Sequence, residues 1–207
     1  MSRLVVVAAA ALVALALAGC PGGQTKPDNA LAATTPPIVG AWASSCFGVA
    51  NEDGTDGFAQ LVFDMKPTTW ALDYTMFSDD ACSARLGTFH IDGPWVVERP
   101  STTLPGAFEA RFDFATRTVT PHVDGYIAFL QSMACGQPPY AVGTPQDVLA
   151  AGCPALGFQP VAACPSDYDL VFVNGSTLQF GARPADNNMC TPDRRPTALG
   201  APLTEVR

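Results

Sequence analysis

The chain has 207 residues and a formal net charge of −8 at pH 7, from 11 lysines and arginines against 19 aspartates and glutamates. Only 14% of the residues are charged and no basic run occurs, which argues against nucleic-acid binding and against electrostatic attachment to anionic lipid. The 19 prolines and 18 glycines are typical of a compact, loop-rich β protein, and the length allows one domain of ordinary size.

The first 19 residues are predicted to form the signal peptide of a lipoprotein. Met1–Arg3 is short and positively charged, and Leu4–Ala18 is an apolar run of 15 residues, fewer than the ~20 that a membrane-spanning helix needs. The run ends in Leu17-Ala18-Gly19-Cys20, which resembles the lipobox of bacterial lipoproteins. This resemblance implies cleavage before Cys20, acylation of its thiol and of the new amine, and anchoring to a membrane through the acyl chains. An ordinary cleavable signal peptide is the alternative.

Residues 20–37 are predicted to be the lipidated cysteine and a flexible spacer. Residues 21–37 contain four prolines and two glycines and follow neither a helical nor a strand period, so they are expected to span on the order of 20–25 Å as coil. Pro21 stands where an aspartate would indicate retention in the inner membrane, so the outer membrane or the cell surface of a bacterium is favoured. Residues 38–207 are predicted to form a single β-barrel domain with a Pro-rich C-terminal tail.

Ile38–Cys46 is predicted to be the first strand of that domain. Gly40 precedes Trp42 by two residues on the first apolar segment. This suggests a barrel-opening strand in which the indole ring closes one end and the glycine permits close approach of the backbone. An ordinary edge strand with a buried tryptophan is the alternative.

Alternation of apolar and polar residues predicts further strands. They are Ala59–Met65, Trp70–Met76, Arg85–Asp92, Trp95–Glu98, Phe108–Phe114 and Arg117–Thr120. The third and fourth of these are predicted to be separate because Pro94 cannot donate a hydrogen bond within a ladder. In Phe108–Phe114, three rings and an alanine are expected on one face of the strand and three charged side chains on the other.

Two helices are predicted after residue 121. Asp124–Ala134 fits either a helix capped by Asp124 or another strand, and the helix is favoured. Thr144–Gly152 is predicted to be a short helix because Thr144 and Asp147 have the spacing of a capping box.

A β-hairpin near the C-terminus is the clearest local prediction. Two alternating segments, Tyr168–Val173 and Ser176–Phe180, flank Asn174-Gly175. Because asparagine and glycine tolerate positive φ, this dipeptide predicts a type I′ turn in which both residues have positive φ.

Six cysteines remain when Cys20 is set aside, and an even number in an exported chain predicts disulfides. They are Cys46, Cys82, Cys135, Cys153, Cys164 and Cys190. Cys46 and Cys82 lie in the strand-rich half and are expected to pair with each other, whereas the pairing of the other four stays open. A zinc site is the alternative, but no C-x-x-C or C-x-x-H spacing is present.

No pattern of a known catalytic site occurs in the sequence. The chain has no Gly-x-Ser-x-Gly, P-loop or His-Glu-x-x-His motif. His90 and His122 are each followed two residues later by an aspartate, but such pairs recur by chance in strands and turns. We therefore expect no enzyme, no catalytic residue, no metal and no cofactor.

With these elements in place, the sequence resembles the domain of the adenomatosis polyposis coli down-regulated (APCDD) proteins, membrane-anchored Wnt inhibitors of animals with bacterial lipoprotein relatives. Four stretches carry the likeness: Ile38–Cys46, Trp70–Cys82, the segment from Cys135-Gly136 through Gln146-Asp147-Val148 to Cys153, and the Asp169–Phe180 hairpin with Arg195–Leu199 after it. The animal proteins have two such domains and a transmembrane helix, and a bacterial counterpart of Wnt is not expected.

The resemblance implies a lipocalin-like barrel whose apolar cavity accepts an acyl chain, and Gly40-x-Trp42 also matches the opening signature of lipocalins. The predicted fold class is therefore all-β with short helices. It is a lipocalin-like antiparallel β-barrel or half-barrel of about nine strands, stapled by disulfides.

Two functions are compatible with this fold. In the first, the barrel of a membrane-anchored lipoprotein binds an acyl chain or another hydrophobic ligand, and the inward candidates are Leu61, Phe63, Trp70, Leu72, Tyr74, Phe108, Phe112 and Phe114. In the second, these side chains pack the barrel solid, and the domain is a structural or interaction module for an unknown protein or glycan. Its binding surface would be the 48–57 loop and the Cys135–Cys164 region. An exported hydrolase would need clustered polar groups, which the sequence does not show.

Overall fold

The computed structural model describes residues 38–50 and 56–206. The predicted signal peptide, Cys20, the spacer and loop residues 51–55 lie outside the described residues. The described strands are β1 (Gly40–Ala43), β2 (Phe47–Ala50), β3 (Asp56–Met65), β4 (Thr69–Phe77), β5 (Arg85–Pro100), β6 (Phe108–Asp113), β7 (Thr116–Pro121), β8 (Gln146–Asp147), β9 (Ser166–Asn174), β10 (Thr177–Phe180) and β11 (Leu203–Glu205). With them are helix α1 (Asp124–Ser132) and 3-10 turns at Pro154–Leu156 and Pro192–Arg194.

Eight of these strands close an antiparallel barrel. The order is β1-β3-β4-β5-β6-β9-β10-β11, and β11 pairs back onto β1. The other three extend the sheet, with β2 on β3, β7 on β5 and β8 on β7. The structure therefore confirms the predicted all-β fold with an antiparallel barrel, although its described part has eleven strands rather than about nine.

The longest strand, β5, corrects the prediction of a break at Gly93-Pro94. The part of β5 before Gly93 pairs with β7 and the part after Pro94 pairs with β6, so β6 and β7 lie end to end along one side of β5. Pro94 thus falls in the gap between the two partners on that side, and the strand continues through it. A Cβ at Gly93 would lie only 2.0 Å from the carbonyl oxygen of Asp113, so glycine permits the close backbone approach at this point.

Helix α1 confirms the helix that was favoured after residue 121, but not its cap. The N-cap is Val123, which makes no side-chain capping bond, so the predicted capping role of Asp124 is wrong. Asp124 instead lies in the first turn, where a negative charge interacts favourably with the helix dipole.

The predicted helix at Thr144–Gly152 is wrong. Two of its residues form β8, which pairs with β7. Asp147 Oδ1 accepts a hydrogen bond from the backbone N–H of Leu149 at 2.8 Å. The residue that suggested a capping box therefore makes a local side-chain turn, a common competitor of helix formation.

The β9–β10 hairpin is confirmed, but its turn differs from the prediction. Asn174 is the last residue of β9 and pairs with Thr177, which leaves Gly175 and Ser176 as the two turn residues. Of these residues only Gly175 has a positive φ, +60°. A single positive φ at the first turn position is typical of a type II′ turn, so the predicted type I′ turn with Asn174 at positive φ is wrong.

All six cysteines of the described part form disulfides. Cys46–Cys82 confirms the predicted pair, and Cys135–Cys153 and Cys164–Cys190 complete the pairing that the sequence left open. No cysteine of the described part is therefore left to bind zinc. The segment Cys153–Cys164 is called the cover below. The second disulfide attaches its first residue to Cys135, which follows α1, and the third attaches its last residue to Cys190 of the C-terminal tail.

The first hydrophobic cluster fills the end of the barrel where the described chain begins. Trp42 is buried there, and its Nε1 donates to the carbonyl oxygen of Ile38 at 2.8 Å. Trp95 lies in the same cluster and donates to the carbonyl oxygen of Lys66 at 2.9 Å. A Cβ at Gly40 would meet no atom closer than 3.7 Å, and its φ is +147°. Backbone conformation, not the predicted close approach, therefore explains this glycine.

The second hydrophobic cluster packs α1 against β5 and β7. Phe89 and Val119, which face each other across these two strands, meet Tyr126 and Leu130 of the helix. Both clusters, the closed barrel and the three disulfides lie within residues 38–206. This part of the chain therefore contains the core and the cross-links that it needs to fold on its own.

The C-terminal tail covers part of the outer face of β6. Glu109 lies on that face with the other charged residues of the strand, as predicted, but it is buried. Arg195 of the tail donates to Glu109 at 2.8 Å and to Glu98 at 2.6 Å, and Arg99 donates to Glu109 at 2.8 Å. The tail is thus held to the barrel by an ion-pair network whose centre, Arg195 with Glu109, is buried.

Candidate functional site

A cavity of about 650 Å³ lies inside the barrel, bordered by residues of both hydrophobic clusters. Since alternate residues of a strand share a face, inward positions of several strands converge on it, among them β3, β4, β5, β6 and β10. Its apolar wall includes Leu61, Phe63, Trp70, Leu72, Tyr74, Ile91, Phe112, Phe114, Phe158 and Phe180. Seven of these ten residues are aromatic.

Trp70 organises this aromatic wall. Its ring centroid lies 5.4 Å from that of Phe112, in an edge-on arrangement, and 6.1 Å from that of Phe114. Its Nε1 donates to the carbonyl oxygen of Asp113 at 3.1 Å. Because the only polar atom of the indole ring is used by the backbone, Trp70 presents an apolar face to the cavity.

Seven of the eight predicted pocket residues border this cavity: Leu61, Phe63, Trp70, Leu72, Tyr74, Phe112 and Phe114. The eighth, Phe108, does not border it. Phe108 begins β6 opposite Val171 of β9, so it is displaced along the barrel from the other two rings of the same strand. The alternation of apolar and polar residues predicts which side chains of a strand face inward, but it does not specify how far along the barrel axis each side chain lies.

One charged side chain in the cavity wall has no ionic partner among the described residues. Arg117 is 3% exposed, and its guanidinium carbon lies 4.5 Å from the ring centroid of Phe114 and 5.4 Å from that of Phe158. Its Nη1 donates to the carbonyl oxygen of Gln159 at 2.8 Å, but its buried Nε has no hydrogen-bond partner. Burial lowers the pKa of Arg117, an effect that Asp167 opposes at longer range.

Two buried aspartates of β9 also border the cavity. Asp167 makes an ion pair with Arg183. Asp169 Oδ1 instead accepts backbone N–H groups of Leu170 at 2.7 Å and of Gly181 at 2.8 Å. Burial raises the pKa of Asp169 from 3.8 to about 7, although these two hydrogen bonds and Arg183 act in the opposite direction. The Asp169 carboxyl group is therefore partly protonated near neutral pH.

The cover closes one side of the cavity. Leu156, Phe158 and Gln159 of this segment border the cavity. The backbone of Cys153 exchanges two hydrogen bonds with that of Phe158, at 2.7 and 3.2 Å. The cover is thus a folded turn that contributes a ring to the wall and a carbonyl group to Arg117.

The cavity reaches solvent beside the ends of β1 and β10. Ser45, Ala182 and Ala201 border it and are exposed. These small side chains mark its mouth. Ile38 lies toward the other end of the barrel, because β1 runs away from it, from Gly40, opposite Met65, to Ala43, opposite Val62. The ring of Trp42 points back toward that end, since its Nε1 donates to the carbonyl oxygen of Ile38.

The two histidines lie away from this cavity. His90 contacts Asp73 at 2.6 Å and Asp92 at 3.4 Å, and its side chain is 45% exposed. His122 lies 2.9 Å from the hydroxyl group of Thr88. Within residues 38–50 and 56–206, no group of three or more His, Cys, Asp or Glu side chains is placed to hold a metal ion. A bilayer crossing would need a longer and more apolar helix than any in this part of the chain.

Sequence reasoning missed Arg117, Asp169 and Phe158. Arg117 had a detectable signal, because it alternates with Val119 on a predicted strand and a charged residue at an inward position is unusual. Phe158 had none, since it lies in a segment without a period.

No protein-family model matches the chain, and a comparison with curated protein sequences found no match. The resemblance to the APCDD domain therefore stays a prediction.

Proposed function

We propose that this protein is a lipoprotein of the bacterial cell envelope that binds an acyl chain or another hydrophobic ligand in its barrel and catalyses no reaction. Acyl chains on Cys20 would anchor it, with the outer membrane or the cell surface as the favoured location. The observation that carries the binding function is the 650 Å³ cavity. Pockets for small ligands commonly measure about 300–1,000 Å³ and are mostly apolar with a few polar groups.

The size of the cavity favours this function over that of a solid interaction module. A solid barrel is packed to the density of a protein interior, which leaves few spaces larger than one water molecule. The observed volume would hold about 20 waters at roughly 30 Å³ each. An aromatic wall gives few hydrogen bonds to such waters, so an apolar ligand gains free energy by displacing them.

The lining also favours a chain-like or flat apolar ligand over a sugar or a peptide. Phe112 and Phe180 meet edge-on at 5.6 Å, and Phe63 lies 4.6 Å from Phe180. These contacts leave ring faces and edges at the surface of the cavity and few hydrogen-bonding groups. The charged groups that border the cavity are Arg117, Arg183, Asp167 and Asp169, and its other polar side chains include Ser44, Ser45, Gln159 and Asn187.

Titration of the folded part, residues 38–207, with the fluorescent fatty acid cis-parinaric acid tests the proposal. Leu61→Trp should abolish saturable binding because the larger ring would fill the cavity. Val62→Trp is the matched control, since Val62 is the next residue of β3, is 38% exposed and is not part of the wall. Absence of saturable binding to the unsubstituted protein, or equal loss in both variants, would contradict the proposal.

The anchor is tested separately on the full chain. Mass spectrometry of the N-terminal peptide should show Cys20 with added acyl groups, and Cys20→Ser should transfer the protein from the membrane to the soluble fraction. An unmodified N-terminus in the membrane fraction would contradict the anchoring.

A further inference from the structure

We propose that Arg117 is a head-group site and that the ligand is a long-chain carboxylate, whose anionic end pairs with this guanidinium group while its chain lies against the aromatic wall. This inference rests on the proposed binding function and names the chemical class of the ligand.

The hydrogen bonding of Arg117 is incomplete. Of its hydrogen-bonding nitrogens, only Nη1 donates to a described residue, Gln159. Nε is buried without a partner, and Nη2 makes no hydrogen bond to a described residue. A buried charge is stable only when it is paired and hydrogen-bonded. A carboxylate is the group that fits, because guanidinium nitrogens donate strong charge-assisted hydrogen bonds to carboxylate oxygens.

The charges around the cavity are not all paired. The charged groups that border it are Arg117, Arg183, Asp167 and Asp169. Asp167 is paired with Arg183, and Asp169 is satisfied by two backbone N–H groups. One positive charge, that of Arg117, is left without a counter-charge within ion-pair distance among the described residues. A neutral ligand would leave the charge of Arg117 unpaired, whereas a monoanion would compensate this charge.

Arg117 lies directly beside the apolar wall. Phe114 and Phe158, on which the guanidinium group is stacked, are themselves wall residues. A ligand whose anionic end reached Arg117 would therefore have its chain in contact with rings from its first carbons onward. This arrangement of one charged group beside an extended apolar surface matches an amphiphile with a compact head group.

The experiment compares cis-parinaric acid with its methyl ester, which has the same chain but no negative charge. The folded part, residues 38–207, should bind the acid about 10- to 100-fold more tightly than the ester, as expected for hydrogen bonds to a charged group. Arg117→Met should remove this preference by weakening acid binding while ester binding is retained. Arg117→Lys should keep part of the preference, and Arg85→Met, at an exposed position outside the wall, should keep all of it.

The outcomes separate this inference from the proposed function. If neither acid nor ester binds, the binding function itself fails. If the unsubstituted protein binds both equally, or if Arg117→Met keeps the preference for the acid, the cavity binds hydrophobic ligands but Arg117 is not a head-group site. The comparison of acid and ester needs no variant, so it remains decisive if Arg117→Met does not fold.

Discussion

Asp169→Asn should change how the stability of this protein depends on pH. Asp169 is 6% exposed, and burial raises the pKa of its carboxyl group to about 7, against an ordinary value of 3.8. Asparagine has the same shape and can accept the same hydrogen bonds from Leu170 and Gly181, but it carries no charge at any pH. The variant therefore isolates the free energy of ionising this one buried group.

The sign follows from proton binding in the two states. Between pH 4 and pH 7 the folded state keeps the Asp169 proton and the unfolded state has lost it, so raising the pH favours unfolding. The pKa difference is about 3 units, and each unit corresponds to about 1.4 kcal/mol. The contribution of Asp169 to the free energy of unfolding should thus fall by about 4 kcal/mol between pH 4 and pH 7 and stay constant above that.

Urea unfolding with the disulfides intact, followed from pH 4 to pH 8, measures this effect. The protein and Asp169→Asn should have similar free energies of unfolding near pH 4. The variant should be more stable by a few kcal/mol at pH 8. Taking the difference between the two proteins cancels the titration of all other groups, His122 included.

Asp64→Asn provides the control, because the Asp64 side chain is 50% exposed and pairs with Lys66 on the surface. Exposed ion pairs contribute about 0–1 kcal/mol, so this control should follow the parent protein at every pH. Parallel stability curves for the parent protein and Asp169→Asn would show that Asp169 is ionised in the folded state at low pH, and they would refute the reasoning.

Three further variants are checked by the same urea unfolding at pH 7. Gly87→Ala should destabilise the protein by about 1–3 kcal/mol, because the new Cβ would lie 2.0 Å from the buried ring of Tyr126. An unchanged urea midpoint would mean that the ring moves aside freely. Tyr126→Phe should stabilise the protein by about 1 kcal/mol, since the hydroxyl group is buried and has no hydrogen-bond partner among the described residues. A loss of stability would show that this hydroxyl group does have a hydrogen-bond partner. Arg195→Met should cost about 3 kcal/mol by breaking the buried contact with Glu109. Arg195→Met with Glu109→Gln should recover part of that loss, and no recovery would argue against the ion pair as its cause.

The strands of the barrel were predictable because one face of each is buried. Period-2 alternation identified β3, β4, β6 and β9, and the same pattern placed seven residues at the cavity wall. The continuity of β5 was not predictable, because Gly93-Pro94 ends the ladder with β7 but does not end the strand. Only the positions of β6 and β7 along β5 show that the ladder ends there while the strand continues.

The polar part of the cavity depends on contacts between residues far apart in sequence. Arg117 meets Gln159 and Asp169 meets Gly181, and no local pattern indicates either pair. The error at Thr144–Gly152 has the same origin. Asp147 is compatible with a capping box and with a side-chain turn, and pairing of β8 with β7 favours the turn.

Under the proposed function, the two disulfides at the ends of the cover would restrict how quickly a ligand leaves the cavity. Cys153 and Cys164 are each bonded to a different part of the fold, so the cover cannot swing out about either end as a hinged loop does. Ligand exchange would then occur through the mouth near Ser45 and Ala182, or by local unfolding, whose rate depends on the stability of the surrounding structure. The proposed ligand should therefore have a long residence time, and reducing the two disulfides should shorten it by releasing the cover from the residues after α1 and from the C-terminal tail.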